Sequence, residues 1–353
     1  MLLDRYIARA LFGGVAVVLL VMVALMGFVD FVNELDDVGK GNYDLLQAVV
    51  HVALNLPRRL YEIFSTAVLI GGLLGLGVLA SNSELVVMRA AGVSIRRIAK
   101  STLQAGLVLS LLVALVGEFL VPPSVEKAES IRNEALHRKI SFGSDQGIWA
   151  REQQFYINVR KIYPDLQLEE IHVYELGQDQ QLKQAISARS AVYKSGQWEL
   201  RDIQRSIITS ESVRVEHVAA EIWPRLLSPD LFEVVSAKPQ NMSAGDLYKY
   251  SQYLKANNLD SSHYQLAFWR KITTPISTLV MLLLALPFVF GSVRSGGSGQ
   301  RIFYGILIGI GFYMLNNIVS HTGQVYGLHP LVSAFAPLIM VAAVGLFVLK
   351  RIR

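Results

Sequence analysis

The chain has 353 residues, of which 52% are hydrophobic and 17% charged, and its mean hydropathy is +0.39. It is too apolar for a soluble domain of that length, so we predict a membrane protein. The net charge of +5 lies in short segments beside apolar runs and gives no sign of a nucleic-acid partner. There is no cysteine, which excludes disulfides, thiol catalysis and cysteine-based metal sites.

Six apolar stretches are long enough to cross a membrane, which takes about 20 helical residues. The first, Leu11–Val29, carries no charge and is followed by no small-residue cleavage site, so we expect an anchor rather than a cleaved signal. Ile302–Leu349 is too long for one crossing, and "SHTGQVYGLHP" (320–330) supplies the turn that divides it. The predicted spans are residues 11–33, 61–80, 101–121, 272–293, 302–320 and 331–349.

The cations predict the orientation of these spans. With six spans, one side of the membrane receives most of the arginines and lysines outside the large insert, opposed only by Asp4 and Glu84. Cytoplasmic segments are enriched in Lys and Arg, so this side, with both termini, is predicted to be cytoplasmic. On the other side, residues 30–62 are acidic on balance and 321–330 carry no formal charge.

A hydrophilic insert, residues 123–265, separates the third and fourth spans and is predicted to lie outside the cytoplasm. Its centre alternates polar and apolar residues in five segments that begin at "QFYINVRKI" and end at "SVRVEHVAAEIW". Six to ten short strands with turns at this spacing predict a small sandwich or jelly roll. Ser243 is a candidate cap for a helix at 242–258 that returns the chain to the membrane. We therefore expect transmembrane residues 1–122 and 266–353 around a β domain.

The stretch "SNSELVVMRAAGVSIRR" (81–97) lies between the second and third spans, on the basic side. Ser81 and Glu84 have capping-box spacing, Gly92 can end the helix in a left-handed residue, and Ser94 can cap the next turn. A helix at about 82–92 would present Leu85, Val86 and Met88 as an apolar face and Glu84 and Arg89 as polar contacts. It is either an interfacial helix whose arginines meet anionic lipid or a docking helix for a cytoplasmic motor.

The docking hypothesis gains from what the sequence lacks. There is no G-x-x-x-x-G-K-[ST] loop, and the Gly-rich "GSVRSGGSGQR" (291–301) has no Lys-Ser/Thr pair, so any ATP would be bound by a partner. No H-E-x-x-H, G-x-S-x-G or pair of intramembrane acids indicates catalysis. We therefore expect no enzyme activity and no cofactor bound by this chain.

Several cations on the non-cytoplasmic side break the charge rule. They flank the outer ends of the first three spans and could bind the phosphates of an outer-leaflet lipid. The alternative is ordinary anchoring or pairing with nearby acids such as Asp36, Asp37 and Glu126. These cations are Lys40, Arg58, Arg59, Lys127 and Arg132.

Small residues recur in the second and fifth spans, including Gly71, Gly75, Gly305 and Gly309, at spacings that allow close helix approach. Packing is the default explanation. If this packing crosses to another subunit, these spans would form a separable seam.

The segments "LDRYIAR" (3–9), "LLGLGVLASNSELVVMRAAGVS" (73–94) and "YQLAFWRKITTPIS" (264–277), with three spans on each side of a β domain, resemble the LptF/LptG family of lipopolysaccharide-export permeases. The resemblance spans essentially the whole chain. The words "SNSELVVMRAAG" are more similar to the G branch of the family than to the F branch.

The resemblance implies an inner-membrane subunit of an ATP-driven exporter that extracts lipopolysaccharide from the outer leaflet. Its expected partners are an F-type paralogue, a dimeric cytoplasmic ATPase that uses ATP and Mg²⁺, a single-span accessory protein and a periplasmic bridge protein. The lipid would enter a cavity between the two permease subunits. The β domain, jelly-roll-like in the family, would join the bridge toward the outer membrane.

The resemblance also assigns residues. Glu84 matches the family's acidic docking position, and Arg58 and Arg132 match basic positions at the cavity rim. The apolar cavity walls would fall at Ile63, Phe64, Phe312 and Tyr313. This chain departs from the family where basic residues are expected after the first span, because it reads "DFVNELDDVGK", with Lys40 as the only local cation.

Two other functions stay open on the residues alone. A lipoprotein-releasing permease is disfavoured because its large outer domain would be expected after the first span. A membrane enzyme acting on lipid headgroups would need a convergent acid and base on the outer face, where the sequence offers only scattered candidates.

Overall fold

The structure, a computed structural model, describes residues 2–136, 148–152, 154–162, 167–177, 181–194, 197–209, 212–223, 238–257, 259–290 and 298–351. Six helical segments in these ranges are long and apolar enough to cross a membrane, as the sequence predicts. The helices are α1 (Leu2–Glu34), α2 (Leu45–Ser81), α3 (Glu84–Ala90), α4 (Ile95–Leu115), α5 (Val121–Ala135), α6 (Ala244–Ala256), α7 (Ser262–Phe290), α8 (Ser298–Val325) and α9 (Pro330–Arg351). The membrane-spanning helices are α1, α2, α4 with α5, α7, α8 and α9.

The helices extend beyond the apolar stretches that predicted them. α2 begins at Leu45 rather than near residue 61, because Asp44 and Gln47 form a capping box: Gln47 N donates to Asp44 Oδ1 over 2.8 Å, and Asp44 N donates to Gln47 Oε1 over 2.9 Å. At 1.5 Å per residue its 37 residues reach about 55 Å, well beyond a hydrocarbon core of about 30 Å. The predicted division of the last apolar stretch is confirmed, with α8 and α9 separated by a turn in which Gly327 has φ +65°.

α2 is the central helix of the bundle. In its most apolar 18-residue window 78% of the residues are buried, against 17% in α1 and in α8. The small residues bring backbones together within this chain: a Cβ at Gly14 would meet the Gly71 carbonyl oxygen, and one at Gly75 would meet the Ala10 carbonyl oxygen, both well under 3.0 Å. The predicted packing of Gly71 and Gly75 is therefore the contact of α2 with α1, and that of Gly305 and Gly309 is a contact of α8 with side chains of α2.

The bundle has two ends, which differ in chemistry. At one end, here called the terminal end, α3 and the ends of α1, α7 and α9 pack around one apolar cluster that includes Ile7, Leu76, Leu85 and Val289. The opposite end, here called the domain end, carries the start of α2, the whole of α5 and the connections to the β domain. The candidate sites lie at these two ends.

The inserted domain is an antiparallel sheet of six described strands: β1 (Ile148–Glu152), β2 (Phe155–Ile162), β3 (Gln167–Leu176), β4 (Leu182–Lys194), β5 (Gln197–Ile208) and β6 (Val213–Trp223). The five segments predicted from alternation are β2 to β6, and β1 was missed. The β class of the domain is confirmed. The described strands pair in sequence order, so that their arrangement is a meander of hairpins rather than the crossed order of a jelly roll.

The returning helix α6 joins the sheet to the membrane. Ser243 caps it as predicted, accepting a hydrogen bond from Asp246 N over 3.1 Å. Its Tyr253 packs against the sheet core around Trp198 and Leu200, while Tyr250 meets Tyr264 of α7 with ring centroids 4.5 Å apart. α6 therefore contacts both the β domain and the bundle.

The glycine contact gives a matched pair of substitutions in one turn of α1. We expect Gly14→Ala to destabilise the protein by about 1–3 kcal/mol, because the new methyl group meets backbone atoms that cannot rotate away. Gly13→Ala is the control: its Cβ would meet nothing within 4 Å, and alanine is the better helix former, so its stability should be equal or higher. Thermal unfolding in detergent measures both, and equal melting temperatures would contradict the contact.

Candidate functional site

The short helix α3 begins later and is held differently than its sequence predicts. The expected capping box of Ser81 and Glu84 is wrong: Ser81 Oγ donates to Val78 O over 2.9 Å inside the last turn of α2, which continues to Ser81. The N-cap is Ser83, in a left-handed conformation with φ 62° and no side-chain cap bond. The Glu84 carboxylate is consequently free to accept other donors.

The end of α3 agrees with the prediction. Gly92 has φ +89°, the region that favours glycine, and two backbone bonds close a Schellman motif, from Gly92 N to Arg89 O and from Val93 N to Met88 O, each 3.0 Å long. Ser94 then caps α4 by accepting a hydrogen bond from Arg97 N over 3.3 Å. The two helices therefore meet at a defined turn rather than in a loose loop.

The side chains that α3 buries and those that it exposes differ from the prediction. Leu85 is buried, and Met88 packs against the same terminal-end cluster, so both side chains fasten α3 to the bundle. The exposed apolar side chains are Val86 and Val87, and Val87 keeps 66% of its surface accessible. Arg89 is also exposed. The face that a partner can contact is therefore Val86, Val87 and Arg89, with Glu84 at its edge.

Two polar contacts hold the start of α1 to this region. Tyr6 donates its hydroxyl to Glu84 Oε2 over 2.6 Å, and Arg97 donates to Asp4 Oδ2 over 2.8 Å. Asn82 gives Glu84 a second, longer bond of 3.3 Å. Glu84 thus links α3 to α1 across 78 positions of the chain, a contact that no local pattern reveals.

At the domain end, the predicted phosphate-binding cations form ion pairs with acids of the segment after the first span. Arg59 pairs with Asp30 through two hydrogen bonds of 2.6 Å, from Nε and from Nη2, and its Nη1 donates to Glu62 over 3.0 Å. A two-point contact of this kind fixes both side chains. It also joins α1 to α2.

Arg132 of α5 occupies the centre of the same cluster. Its Nε lies 2.9 Å from Glu34 Oε1 and its Nη2 donates to Asp37 Oδ2 over 2.6 Å. Tyr43 donates to Glu34 over 2.9 Å, and burial, followed by this hydrogen bond, raises the pKa of Tyr43 well above its ordinary value. Tyr43 therefore remains a protonated donor at any physiological pH.

Lys40 and Arg58 are less firmly held. Lys40 Nζ lies 2.8 Å from Asp37 Oδ1, but 60% of the lysine side chain is exposed. Arg58 approaches Glu62 only to 3.9 Å. The four cations Lys40, Arg58, Arg59 and Arg132 and the four acids Asp30, Glu34, Asp37 and Glu62 form the domain-end cluster. Pairing with acids, one of the two interpretations left open by the sequence, describes these four cations but not Lys127, which has no ion pair among the described residues. The acidic segment after the first span supplies the partners of Lys40 and Arg132 and one partner of Arg59, whereas Glu62 of α2 pairs with Arg58 and Arg59.

The four predicted cavity-wall residues do not share a surface. Phe64 is fully buried among α1, α2 and α4 side chains, and Ile63 is 6% exposed. Phe312 packs partly against the terminal-end cluster. Only Tyr313, on the outer face of α8, is largely exposed, at 64%. In this chain Phe64 and Ile63 are therefore core residues, and Tyr313 is available to a ligand or a partner.

A π-turn, Val116–Leu120, joins α4 to α5 and organises residues that sequence reasoning missed. Lys271 Nζ donates to Gly117 O over 2.6 Å and lies 5.5 Å from the Tyr61 ring centroid. Glu118 accepts the backbone N–H of Ala244 at 3.0 and 3.1 Å and so caps α6. The neighbouring Arg270 has a buried Nε with no hydrogen-bond partner among the described residues. The sequence feature that could have revealed Arg270 and Lys271 is "WRK" (269–271), which places two cations at the start of an apolar span.

Fold and sites together define a polytopic membrane protein with an all-β insert, a short exposed helix between its second and third spans and a charge cluster at the opposite end. Within the described residues no group of three or more His, Asp or Glu side chains is placed to hold a metal ion. Residues 5–351 match the family described as lipopolysaccharide export system permease LptF/LptG, and the chain belongs to that family.

Individual relatives agree with this assignment. The chain is 35% identical over 353 residues to the Haemophilus influenzae lipopolysaccharide export system permease protein LptG, with 99% of each chain covered. It is 33% identical over 352 residues to the protein of the same name from Escherichia coli K12, covering 99% of this chain and 98% of the relative. The resemblance to this family and to its G branch is confirmed.

The domain-end cluster predicts a strong dependence of stability on Arg132. Arg132→Gln leaves Glu34 and Asp37 without their cation and should cost about 2–3 kcal/mol, below the roughly 3–5 kcal/mol of a fully buried pair because 26% of the side chain is exposed. Adding Glu34→Gln should restore part of the lost stability, because it removes one of the two carboxylates left without a cation. Arg58→Gln is the control, with an expected cost of about 0–1 kcal/mol because its pair with Glu62 is 3.9 Å long. Thermal unfolding in detergent compares them, and equal effects of the two arginine variants would refute the pairing.

Proposed function

We propose that this chain is a transmembrane permease subunit of a lipopolysaccharide exporter, located in the inner membrane of a bacterium. The terminal end lies in the cytoplasm and the β domain in the periplasm, as the distribution of Lys and Arg predicts. The observation that carries the proposal is the family match over residues 5–351, which includes every membrane helix and the β insert.

The energetics of the cargo require an external motor. Each CH₂ buried in the membrane contributes about 0.8 kcal/mol, so lifting a lipid with several acyl chains out of the bilayer does not occur spontaneously. The chain has no ATP-binding loop, and in this proposal a dimeric ATPase supplies the work and alone uses ATP and Mg²⁺. The permease itself binds no cofactor and catalyses no reaction.

The transport proposal is tested by reconstitution. The chain, co-expressed with its F-type paralogue, the ATPase and the single-span accessory protein, is placed in vesicles that contain lipopolysaccharide, with the periplasmic bridge protein outside as acceptor. We expect ATP-dependent transfer of lipopolysaccharide to the acceptor and no transfer without ATP. If lipopolysaccharide is not transferred but a lipoprotein included in the same vesicles is, the lipoprotein-releasing alternative is favoured. ATP-independent change of the lipid headgroup would favour the enzyme alternative.

We place the ATPase contact on α3. Leu85 and Met88 anchor this helix, while Val86, Val87 and Arg89 face outward, so a partner can contact α3 without unpacking it. Glu84, at the edge of this face, lends an acceptor oxygen to Tyr6. Contact with the ATPase and the hydrogen bond from Tyr6 of α1 therefore compete for the same carboxylate.

This competition gives a test that separates the two roles of Glu84. Glu84→Ala should lower the amount of ATPase that co-purifies by about tenfold, which corresponds to the loss of a charge-assisted contact of about 1.4 kcal/mol. Val87→Glu should also lower the amount of co-purifying ATPase, because in this proposal the exposed Val87 side chain contacts the partner and contributes little to packing within the chain. Tyr6→Phe is the control, since it removes the bond to α1 and leaves the carboxylate. If Tyr6→Phe loses the ATPase to the same extent as Glu84→Ala, Glu84 acts through α1 and the docking role is wrong.

We propose that the F-type paralogue and the lipid contact the outer faces of α1 and α8. These are the least buried membrane helices, and they flank α2 on two sides. Their exposed side chains include Leu25 and Phe28 of α1 and Leu307 and Tyr313 of α8. This surface needs a partner or lipid along its whole length.

Lipid phosphates would meet the domain-end cluster in two ways. Lys40 and Arg58, with one exposed and one distant ion pair, can turn to a phosphate without loss of the fold. Arg59 and Arg132 are held by short bonds, so in this proposal they offer positive potential and exchange a carboxylate for a phosphate only when the lipid is present. The β domain then passes the lipid to the bridge protein.

A further inference from the structure

A groove opens at the terminal end between α4, α7 and α9. Its volume is about 1370 Å³, above the range of about 300–1,000 Å³ typical of small-molecule pockets, and the turn between α3 and α4 forms its upper edge. It shares Arg89 with the exposed face of α3 described above, but neither Val86 nor Val87 lines it, and none of the residues assigned to lipopolysaccharide binding does.

The upper edge of the groove is positively charged without compensation. Arg89, Arg96, Lys100 and Lys350 line it, and none of the described residues of its lining is acidic. Each of these four side chains lacks an ion pair within the part of the chain that the structure describes, whereas Arg97, one position along α4, pairs with Asp4 at 2.8 Å. Four cations this close together repel one another, and an anion placed among them would relieve the repulsion.

Below this edge the walls become apolar. They are formed by leucines of α4, α7 and α9, among them Leu103, Leu107, Leu283 and Leu346. Leu107 and Leu346 are about half exposed, so the lower part of the groove opens sideways. From Arg96 to Leu107 α4 rises about 16 Å, roughly half of a 30 Å hydrocarbon core. The groove therefore has the length of one leaflet, with charge at the headgroup level and leucine toward the midplane.

We propose that the groove binds one anionic diacyl phospholipid from the leaflet at the terminal end, with its phosphate among Arg96, Lys100 and Lys350 and an acyl chain along Leu103, Leu107 and Leu346. A soluble phosphate would leave the leucine wall uncovered. An extended peptide segment would bring unpaired backbone groups to membrane depth, which is costly. Of the three, an anionic lipid alone matches both halves of the groove. The inference does not depend on which cargo the protein exports.

The site adjoins the turn that ends α3. Gly92 and Val93, which close the Schellman motif, line the groove together with Arg89. A bound headgroup therefore contacts the turn that connects the exposed helix to α4. The composition of this leaflet would in this way influence how firmly α3 is held.

Native mass spectrometry of the full-length protein in a neutral detergent tests the site, with phosphatidylglycerol or phosphatidylcholine added. We expect one phosphatidylglycerol per chain, bound at least tenfold more tightly than phosphatidylcholine. The double variant Arg96→Gln with Lys100→Gln should bind it about 30-fold more weakly, since each Lys or Arg at an anionic surface contributes about 1 kcal/mol. Leu107→Trp, which fills the lower groove, should weaken binding as well. Arg5→Gln, at an exposed terminal-end arginine outside the groove, is the matched control and should bind like the unaltered chain.

Size-exclusion profile and melting temperature verify that each variant is folded. Equal binding of the two lipids, or an equal loss in Arg5→Gln, would show general charge attraction and overturn the site. If the double variant keeps phosphatidylglycerol but loses a co-purifying protein, the edge is a protein contact and the lipid proposal is wrong. If Leu107→Trp binds phosphatidylglycerol as tightly as the unaltered chain, the acyl chain does not lie in the lower groove and the proposed site is wrong. None of these outcomes bears on lipopolysaccharide transfer, which the reconstitution measures separately.

Discussion

The direct backbone contact of α1 with α2 sets the geometry of both candidate sites. Gly14, Gly71 and Gly75 let the two helices approach so closely that no side chain fits between them, and this fixes how far one is shifted along the other. With that register, Tyr6 reaches Glu84 at one end and Asp30 reaches Arg59 at the other. A sliding motion of α1 along α2 would break both contacts at once. The two ends of the bundle are therefore mechanically connected through one rigid pair of helices.

The acidic segment after α1 explains how several cations can lie close together at the domain end of the bundle. Four unpaired cations, two on α2, one on α5 and one in the connection between α1 and α2, would repel one another, and Glu34 and Asp37 offset this repulsion at Arg132. In the proposed function, a lipid phosphate must therefore compete with a carboxylate that is already in place. Such competition favours a ligand with several phosphates over one with a single charge, because it can replace more than one acid.

The fold followed from the sequence wherever periodicity and length were informative. Five of the six strands matched alternating segments, and the six spans matched apolar runs, because both patterns reflect burial along one element. The ends of elements were less predictable. The capping box of α2 at Asp44 was missed and one was expected at Ser81, since a serine three residues before a glutamate occurs often and caps a helix only when the chain turns there.

The candidate sites were less accessible to sequence reasoning than the fold, because their contacts join distant positions. The partner of Arg132 lies 95 residues away at Asp37, and Glu84 finds its donor 78 residues away at Tyr6. Leu85 and Phe64 illustrate the same limit: an apolar residue next to a functional motif can face a partner or the core, and one sequence does not distinguish the two. Arg270 and Lys271 were overlooked because the residues that surround them come from α2, α8 and the π-turn after α4.

The way α3 is attached determines what it can transmit. A helix of seven residues is too short to be stable alone, so its position depends on Leu85 and Met88 in the terminal-end cluster and on the Schellman turn at Gly92. The cluster contains side chains of α1, α2, α4 and α7. Close-packed side chains of this kind do not deform continuously. A force applied to Val86 and Val87 from outside would therefore reach α1 and α2 as a rigid displacement, and their glycine contact would carry it to the domain-end cluster.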